Sequence, residues 1–293
     1  MGYERLDRQG RERYLDRAVL AGRGYSCLGL LGQGAFSDVY CVEDAAGGGR
    51  YACKVSWHGQ MLEREAKVLE GLHHPLYPEF YAFWREAEIG ILLREYVEGD
   101  SLEEVLKQRR FSASQTVRIG LMLAEGLGYL HELPERLLFR DVKPANIIIR
   151  PDGGVKLVDF GCVCSMAAQV ASRAGSPGFA APEQLRGGSA LTPACDVYGL
   201  GKTLAVMLGD RGRRLQNPEK KRRTLGEWRT GRRLRRVLKA CTEEEAAQRM
   251  ADMGEVARQL KQIAVHFHDT RNEMHTFSCN FDEGVYRFSQ GDL

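Results

Sequence analysis

The chain has 293 residues, of which 43% are hydrophobic and 28% charged, with a formal net charge of +3. That length and apolar content are enough for a substantial core and exclude a disordered or fibrous chain. No run of 18 or more apolar residues is present and the start, Met1-Gly-Tyr-Glu-Arg-Leu-Asp-Arg8, lacks a signal peptide's apolar centre, so a soluble, cytoplasmic protein with no membrane partner is expected.

Leu6 stands where a myristoylation signal needs Ser or Thr, which argues against a lipid anchor. The eight cysteines (27, 41, 53, 162, 164, 195, 241 and 279) form no Cys-x-x-Cys pair and read as free thiols of a reducing compartment. A redox or metal role for Cys162 and Cys164 is the alternative, weakened because neighbours on a strand point to opposite faces. Charge is unevenly placed: positions 211–239 hold 13 Lys/Arg against Glu219 and Glu227, while the rest of the chain has 29 Lys/Arg against 37 Asp/Glu.

In chain order, residues 1–23 give at best an amphipathic helix to which no chemistry is assigned. A strand, a glycine turn and a strand follow: 26–31, then Gly32-Gln-Gly-Ala-Phe-Ser37, then 38–42. Glycines allow a hairpin backbone to approach phosphates and donate N–H groups to them. Tyr51-Ala-Cys-Lys-Val55 reads as a further strand whose lysine needs a partner, since an unpaired buried ammonium is costly. The helical spacing of Gln60–Leu72 offers Glu65 as that partner, with Glu63 and Glu70 as rivals. Ser101-Leu-Glu-Glu104 and Ser112-Ala-Ser-Gln115 are capping-box patterns, so helices are predicted to start near 101 and 112, the second running to about His131.

Ile147–Ile149 and Val155–Val158, separated by a Pro-Asp-Gly-Gly turn, predict a hairpin of two short buried strands. It ties a loop carrying Asp141, Lys143 and Asn146 to a strand end carrying Asp159, so three oxygen-bearing side chains and one cation converge. Asp and Asn oxygens suit Mg²⁺, and a carboxylate that is not a ligand can take a hydroxyl's proton. Gly161–Glu183, long and weakly apolar, is a candidate lid or switch. Thr192 and Pro193 are expected to cap a buried helix over 194–208, whose Asp196 must be satisfied by backbone N–H groups of the loop before the hairpin. Positions 211–239 read either as a solvated face or as a docking surface for an acidic partner; with little aromatic interleaving beyond Trp228, nucleic acid is disfavoured. Two closing helices are expected over Leu234–Ala264. The aromatic tail beyond them (Phe267, Phe277, Phe281, Tyr286, Phe288) is expected to pack on the domain, on itself or on a partner.

Arg140-Asp-Val-Lys-Pro-Ala-Asn146 followed by Asp159-Phe-Gly161 resembles the catalytic and metal loops of the protein kinase family, and specifically its serine/threonine type in a small, bacterial-like form. The resemblance implies Asp141 as base, Lys143 stabilising the transferring phosphoryl group, and Asn146 and Asp159 holding Mg²⁺. It implies ATP contacts from Gly32, Gly34, Val39, Ala52, Lys54 with Glu65, and the hinge backbone around Glu95 and Val97. Three positions depart from the family pattern: Ser37 replaces the third glycine, Arg94 stands where access behind the adenine is controlled, and Phe139 replaces a histidine. In the segment closing on Ala181-Pro-Glu183, Ser176 matches the residue that bonds near the base, Ser172 a common site of activating phosphate, and Arg140 that phosphate's partner. Arg249 resembles the arginine that braces Glu183.

The implied fold is α+β and bilobal, with a small antiparallel N-lobe sheet carrying one main helix and a mainly helical C-lobe. The expected boundaries are an extension over 1–23, a kinase domain over 24–263 (N-lobe 24–94, hinge 95–100, C-lobe 101–263) and a tail over 264–293. The implied function is transfer of the γ-phosphate of ATP to serine or threonine hydroxyls of a protein. The rivals are a regulatory pseudokinase that binds partners and a small-molecule kinase of the aminoglycoside or choline type; Lys143, Ala181-Pro-Glu183 and Asp196 count against the latter.

Overall fold

The computed structural model describes residues 6–167, 174–187, 190–209 and 225–268. The chain divides into two compact units, one of residues 1–73 and 77–98, the other of residues 74–76 and 99–293.

The first unit is built on a five-stranded antiparallel sheet: β1 (Tyr25–Gln33), β2 (Ser37–Asp44), β3 (Arg50–Ser56), β4 (Phe80–Glu86) and β5 (Ile89–Glu95), in spatial order β1-β2-β3-β5-β4. Register sorts the side chains onto two faces. Val39 pairs with Lys54 and Lys54 with Leu92, while Cys41 pairs with Ala52 and Ala52 with Arg94, so all six share one face. Asp38, Val55 and Ile91, with Tyr40, Cys53 and Leu93, form the other.

Helix α2 (Gly59–Glu70) buries Leu62, Glu65, Ala66 and Leu69. It approaches β5 where Gly59 meets Gly90: a Cβ on Gly90 would lie 2.9 Å from the Gly59 Cα, so the contact requires glycine.

The opposite face is covered by the N-terminal segment, in three pieces where a single helix is expected: α1 (Arg8–Tyr14), a π-helical turn (Leu15–Leu20) and a 3-10 turn (Ala21–Arg23). Leu15 and Leu20 are both fully buried in the sheet's core. Five residues apart, they would point about 140° apart on an α-helix, whereas the wider π turn brings them to one side. Strand β4, at the edge of the sheet, is half-buried along most of its length.

In the second unit β6 (Asp100–Ser101), β8 (Ile147–Ile149) and β9 (Val155–Leu157) form one small antiparallel sheet, and β7 (Leu137–Leu138) pairs with β10 (Cys164–Ser165). The expected hairpin is β8–β9, with Ile147 opposite Leu157. Around them pack α3 (Leu102–Gln108), α4 (Ala113–Glu132), α5 (Pro182–Arg186), α6 (Ala194–Leu208), α7 (Leu225–Cys241) and α8 (Met253–His268).

Ser112 forms the full capping box with Gln115, at 3.1 and 2.9 Å. Ser101 accepts from Glu104 N–H at 3.2 Å, but the Glu104 carboxylate turns to Lys107 at 2.6 Å, leaving half a box. Thr192 does not cap α6 with its hydroxyl. Pro193, already helical at φ −49° and ψ −25°, occupies the cap position, and the Thr192 carbonyl takes the Cys195 N–H at 3.0 Å. Helix α7 starts nine residues before the expected Leu234.

All seven described cysteines are free thiols, and no described helix is long and apolar enough to cross a membrane. Positions 211–224, Cys279 and the tail aromatics Phe277, Phe281, Tyr286 and Phe288 lie outside the described residues.

Candidate active site

The loop between β7 and β8 is shaped by one carboxylate from α6. Asp196, 1% exposed, accepts the N–H groups of Phe139 at 2.8 Å and Arg140 at 2.6 Å. His131 Nε2, in the last turn of α4, lies 2.8 Å from the same carboxylate, an arrangement that assigns the ring proton to Nε2. Burying a carboxylate is costly unless hydrogen bonds replace its hydration, and three donors do so here. They hold Arg140 at φ 70°, a left-handed conformation that a non-glycine residue keeps only when its surroundings impose it. Gln184 of α5 adds a bond from Nε2 to the Arg140 carbonyl at 2.8 Å, and Thr203 of α6 bonds the Val142 carbonyl at 3.0 Å. Phe139 packs edge-on against Phe160, ring centroids 5.7 Å apart, so the residue standing in for the expected histidine is part of the core.

Asp141, 6% exposed, has its carboxylate held by three groups. Ser176 N–H donates to its Oδ1 at 2.9 Å, Asn146 Nδ2 to its Oδ2 at 3.1 Å, and Lys143 Nζ lies 2.8 Å from Oδ2. Lys143 also donates to Ser176 Oγ at 2.6 Å. Asn146 Nδ2 further binds the Asp141 carbonyl at 2.9 Å, which fixes the amide's orientation and leaves Oδ1 as its remaining acceptor. The Val158 N–H bonds the Asn146 carbonyl at 2.8 Å, tying the strand that leads to Asp159 to this loop. Asp159 is exposed, with φ 74°. Of the four residues expected to converge, Asp141, Lys143 and Asn146 meet in one loop, and the hairpin leads on to Asp159.

Glu183, at the end of the segment that begins after Gly161, is gripped by Arg249 through two bonds of 2.6 and 2.8 Å. Ser172 lies outside the described residues. Cys164 stands opposite Leu138 in the β7–β10 pair. Burial, with Asp141 and Asp159 nearby, pushes the Cys162 thiol up, which disfavours the reactive thiolate.

In the first unit Lys54, 7% exposed, meets both carboxylate oxygens of Glu65 at 2.9 and 2.7 Å. The rival Glu63 instead pairs with Lys67 at 3.0 Å. Gly32 pairs with Val39 at the end of the β1–β2 ladder, and the turn is closed by Gly34 N–H to the Ser37 carbonyl at 2.7 Å. Ala52 is buried on the Lys54 face, and Arg94, 8% exposed, shares that face directly opposite it. Glu95 N–H is used by the Glu79 carbonyl at 2.8 Å, whereas the Val97 backbone enters no backbone hydrogen bond among the described residues.

The sequence does not mark His131, Gln184 or Thr203 as supports of this loop. His131 carries a sequence signal only in its place at a helix end, and no spacing rule points from α4, α5 or α6 to this loop.

The described half of the basic stretch lies on α7, where Arg229, Arg232, Arg233, Arg235, Arg236 and Lys239 are all exposed. The buried side of the helix carries Thr230, Leu234, Val237, Leu238 and Cys241. Trp228, 55% exposed, lies beneath the Arg232 guanidinium at 5.8 Å.

The model of the protein kinase domain family matches residues 25–271 of the chain. Serine/threonine-protein kinase C of Synechocystis is 29% identical over 210 residues, which cover 63% of this chain and 38% of that protein. Serine/threonine-protein kinase PrkC of Bacillus subtilis is 29% identical over 205 residues, 66% of this chain and 31% of that protein. Mitogen-activated protein kinase kinase kinase 3 of Mus musculus is 32% identical over 201 residues, 62% of this chain and 32% of that protein. The matched part thus spans well under half the length of each of these relatives. With a family match running through both the Lys54–Glu65 pair and the Asp141 loop, the chain belongs to the protein kinase domain family.

Proposed function

We propose that the chain is a serine/threonine protein kinase that transfers the γ-phosphate of ATP to a protein hydroxyl in a cytoplasmic setting. The observation that carries this reading is the arrangement around Asp141, whose carboxylate is fixed by Ser176, Asn146 and Lys143. In this reading Asp141 orients the incoming hydroxyl and takes its proton as the oxygen–phosphorus bond forms and the bond to the departing ADP breaks. Lys143 lies beside the charge that develops on the phosphoryl group, and its contact with Ser176 suits a serine/threonine enzyme. The remaining Asn146 oxygen and the exposed Asp159 carboxylate fit Mg²⁺, which needs only one or two protein carboxylates beside phosphates and water; bound there, the ion would neutralise phosphate charge. Lys54, held by Glu65, would contact the α and β phosphates, with Gly32, Gly34 and Val39 over them. Ala52 and the backbone of Glu95 and Val97 would receive the adenine, and the unengaged Val97 backbone supports that role.

Two further roles belong to this reading. Phosphate on Ser172 would pair with Arg140 and activate the enzyme. The cationic face of α7 would dock acidic protein partners, with charge complementarity as its support.

The test is transfer of labelled γ-phosphate from ATP with Mg²⁺ to the protein itself and to generic acidic and basic proteins. Label on serine or threonine that Asp141→Asn and Asp159→Ala both abolish is expected. ATP binding with no transfer to any acceptor would overturn the proposal in favour of a regulatory pseudokinase.

A further inference from the structure

The family match begins at residue 25, yet the segment before it is built into the sheet that carries the glycine turn. Leu15 and Leu20 are fully buried in that sheet's core, and Cys27 N–H of β1 donates to Asp16 Oδ1 at 2.8 Å. The contact that reaches furthest is polar. Arg11 Nη1 lies 2.9 Å from Asp38 Oδ2, with the Asp38 side chain 1% exposed. Arg11 is itself oriented by its Nε bond to the Leu6 carbonyl at 3.1 Å and by lying over the Trp57 ring at 5.1 Å.

Asp38 is not an ordinary strand position. It pairs with Gln33 in the last step of the β1–β2 ladder, and the turn Gly34–Ser37 springs directly from that step. Its side chain lies on the face opposite Val39 and Lys54, so Arg11 acts on the turn from behind. A carboxylate this deeply buried is tolerated only with its counter-charge. Asp38 Oδ2 also accepts from the Tyr40 hydroxyl at 3.4 Å, a long bond that does not replace a counter-charge. Without Arg11 the carboxylate must take up a proton or the start of β2 must lift toward water, carrying the glycine turn with it.

We propose that the segment before the sheet is a clamp on the glycine turn, in which Arg11 acts as a positioning residue through Asp38 and thereby sets the affinity for ATP. The inference rests on reading Gly32–Ser37 as the turn that faces the phosphates of a kinase nucleotide. It assigns a role in nucleotide binding to a segment that covers the sheet face opposite Val39 and Lys54.

The test compares the full chain with Arg11→Ala, Arg11→Lys and the double variant Arg11→Ala/Asp38→Asn, measuring amide hydrogen exchange without nucleotide and ATP binding by calorimetry. In Arg11→Ala, exchange over 32–38 is expected to rise about tenfold with β5 and α2 unchanged, ATP affinity to fall about tenfold, and kcat at saturating ATP to stay within about twofold. Arg11→Lys should fall between this variant and the parent. The double variant should recover most of both losses, because an amide needs no counter-charge. Unchanged exchange over 32–38, a rise spread equally over the sheet, or a double variant no better than the single one would overturn the clamp. If the parent protein binds no ATP, the kinase reading fails, while the exchange pattern still judges the tie between Arg11 and the turn.

Discussion

Arg249 holds Glu183 with both ends of its guanidinium, at 2.6 and 2.8 Å, while giving its other hydrogens to the carbonyls of Glu243, Glu244 and Ala194. The arginine side chain has no exposed surface and the glutamate 17%. The pair therefore fastens the end of the segment leading from Gly161 to the stretch between α7 and α8. Removing one member of a buried pair strands the other, at a cost of about 3–5 kcal/mol. Arg249→Ala is expected to lower the unfolding free energy by that order in urea titrations. Arg249→Lys should recover only part of it, since an ammonium cannot reproduce the fork.

Asp196 carries the shape of the loop that presents Asp141. Asp196→Ala leaves the N–H groups of Phe139 and Arg140 buried without an acceptor, each costing about 1–3 kcal/mol. The left-handed Arg140 then loses what holds it. The expected result is a fall in kcat with KM for ATP nearly unchanged, alongside reduced stability. A KM increase matching the loss of kcat would show that the loop's shape is not what Asp196 supports.

His74 supplies a pH dependence. Burial, the largest influence, and Lys156 lower its pKa from 6.5, against an opposing pull from Glu125. Its Nδ1 accepts the Leu76 N–H at 3.1 Å, which requires that nitrogen to be unprotonated. Between the lowered folded value and 6.5 the unfolded chain binds the proton and the folded one does not, so stability rises with pH across that window. Destabilisation should therefore set in as pH drops through 6.5 and level off below the folded value. His74→Asn keeps an acceptor two residues before the Leu76 N–H but cannot titrate. The difference in urea midpoint between parent and variant, followed from about pH 7.5 to about pH 5, should shrink for the parent's part only over that window.

On α7, Arg232 and Arg236 lie one turn apart on the exposed face. Reversing both to Glu is expected to leave the fold and ATP binding intact. It should raise KM for a generic acidic protein by roughly tenfold at low salt, with little change for a basic one. Because such attraction is screened within about 10 Å at 0.1 M salt, the parent's preference should itself fade as ionic strength rises. A KM indifferent to salt and to the reversal would leave α7 as a solvated face.

The loop before the hairpin and the hairpin itself were legible in the sequence because their signals are local: turn residues, β-branched runs and short spacings bring Asn146 onto Asp141 and pair Ile147 with Leu157 ahead of Asp159. The Lys54–Glu65 pair was legible because a lysine in an apolar strand demands a partner and the next helix offers one at a buried position. What escaped is long-range. His131 reaches Asp196 across 65 residues and Arg11 reaches Asp38 across 27, and neither contact leaves a periodicity to read. The π turn escaped for a different reason: its two leucines five apart fit no α-helical stripe, and only the sheet they cover explains them.

Residues 74–76 belong to the second unit although they stand between α2 and β4 of the first. Leu76, 3% exposed, lies so close over Gly126 that no larger residue fits beneath it, and its carbonyl takes the Leu157 N–H at 2.8 Å. This has a consequence for the order of assembly. As the chain leaves the ribosome, the first sheet cannot close until Glu95 has emerged, and by then Leu76 is still waiting for a glycine 50 positions downstream of it and a strand beyond that. Cutting the gene between the units at residue 98 would strand Leu76 on the wrong fragment, so the larger piece would be made lacking part of its own interior.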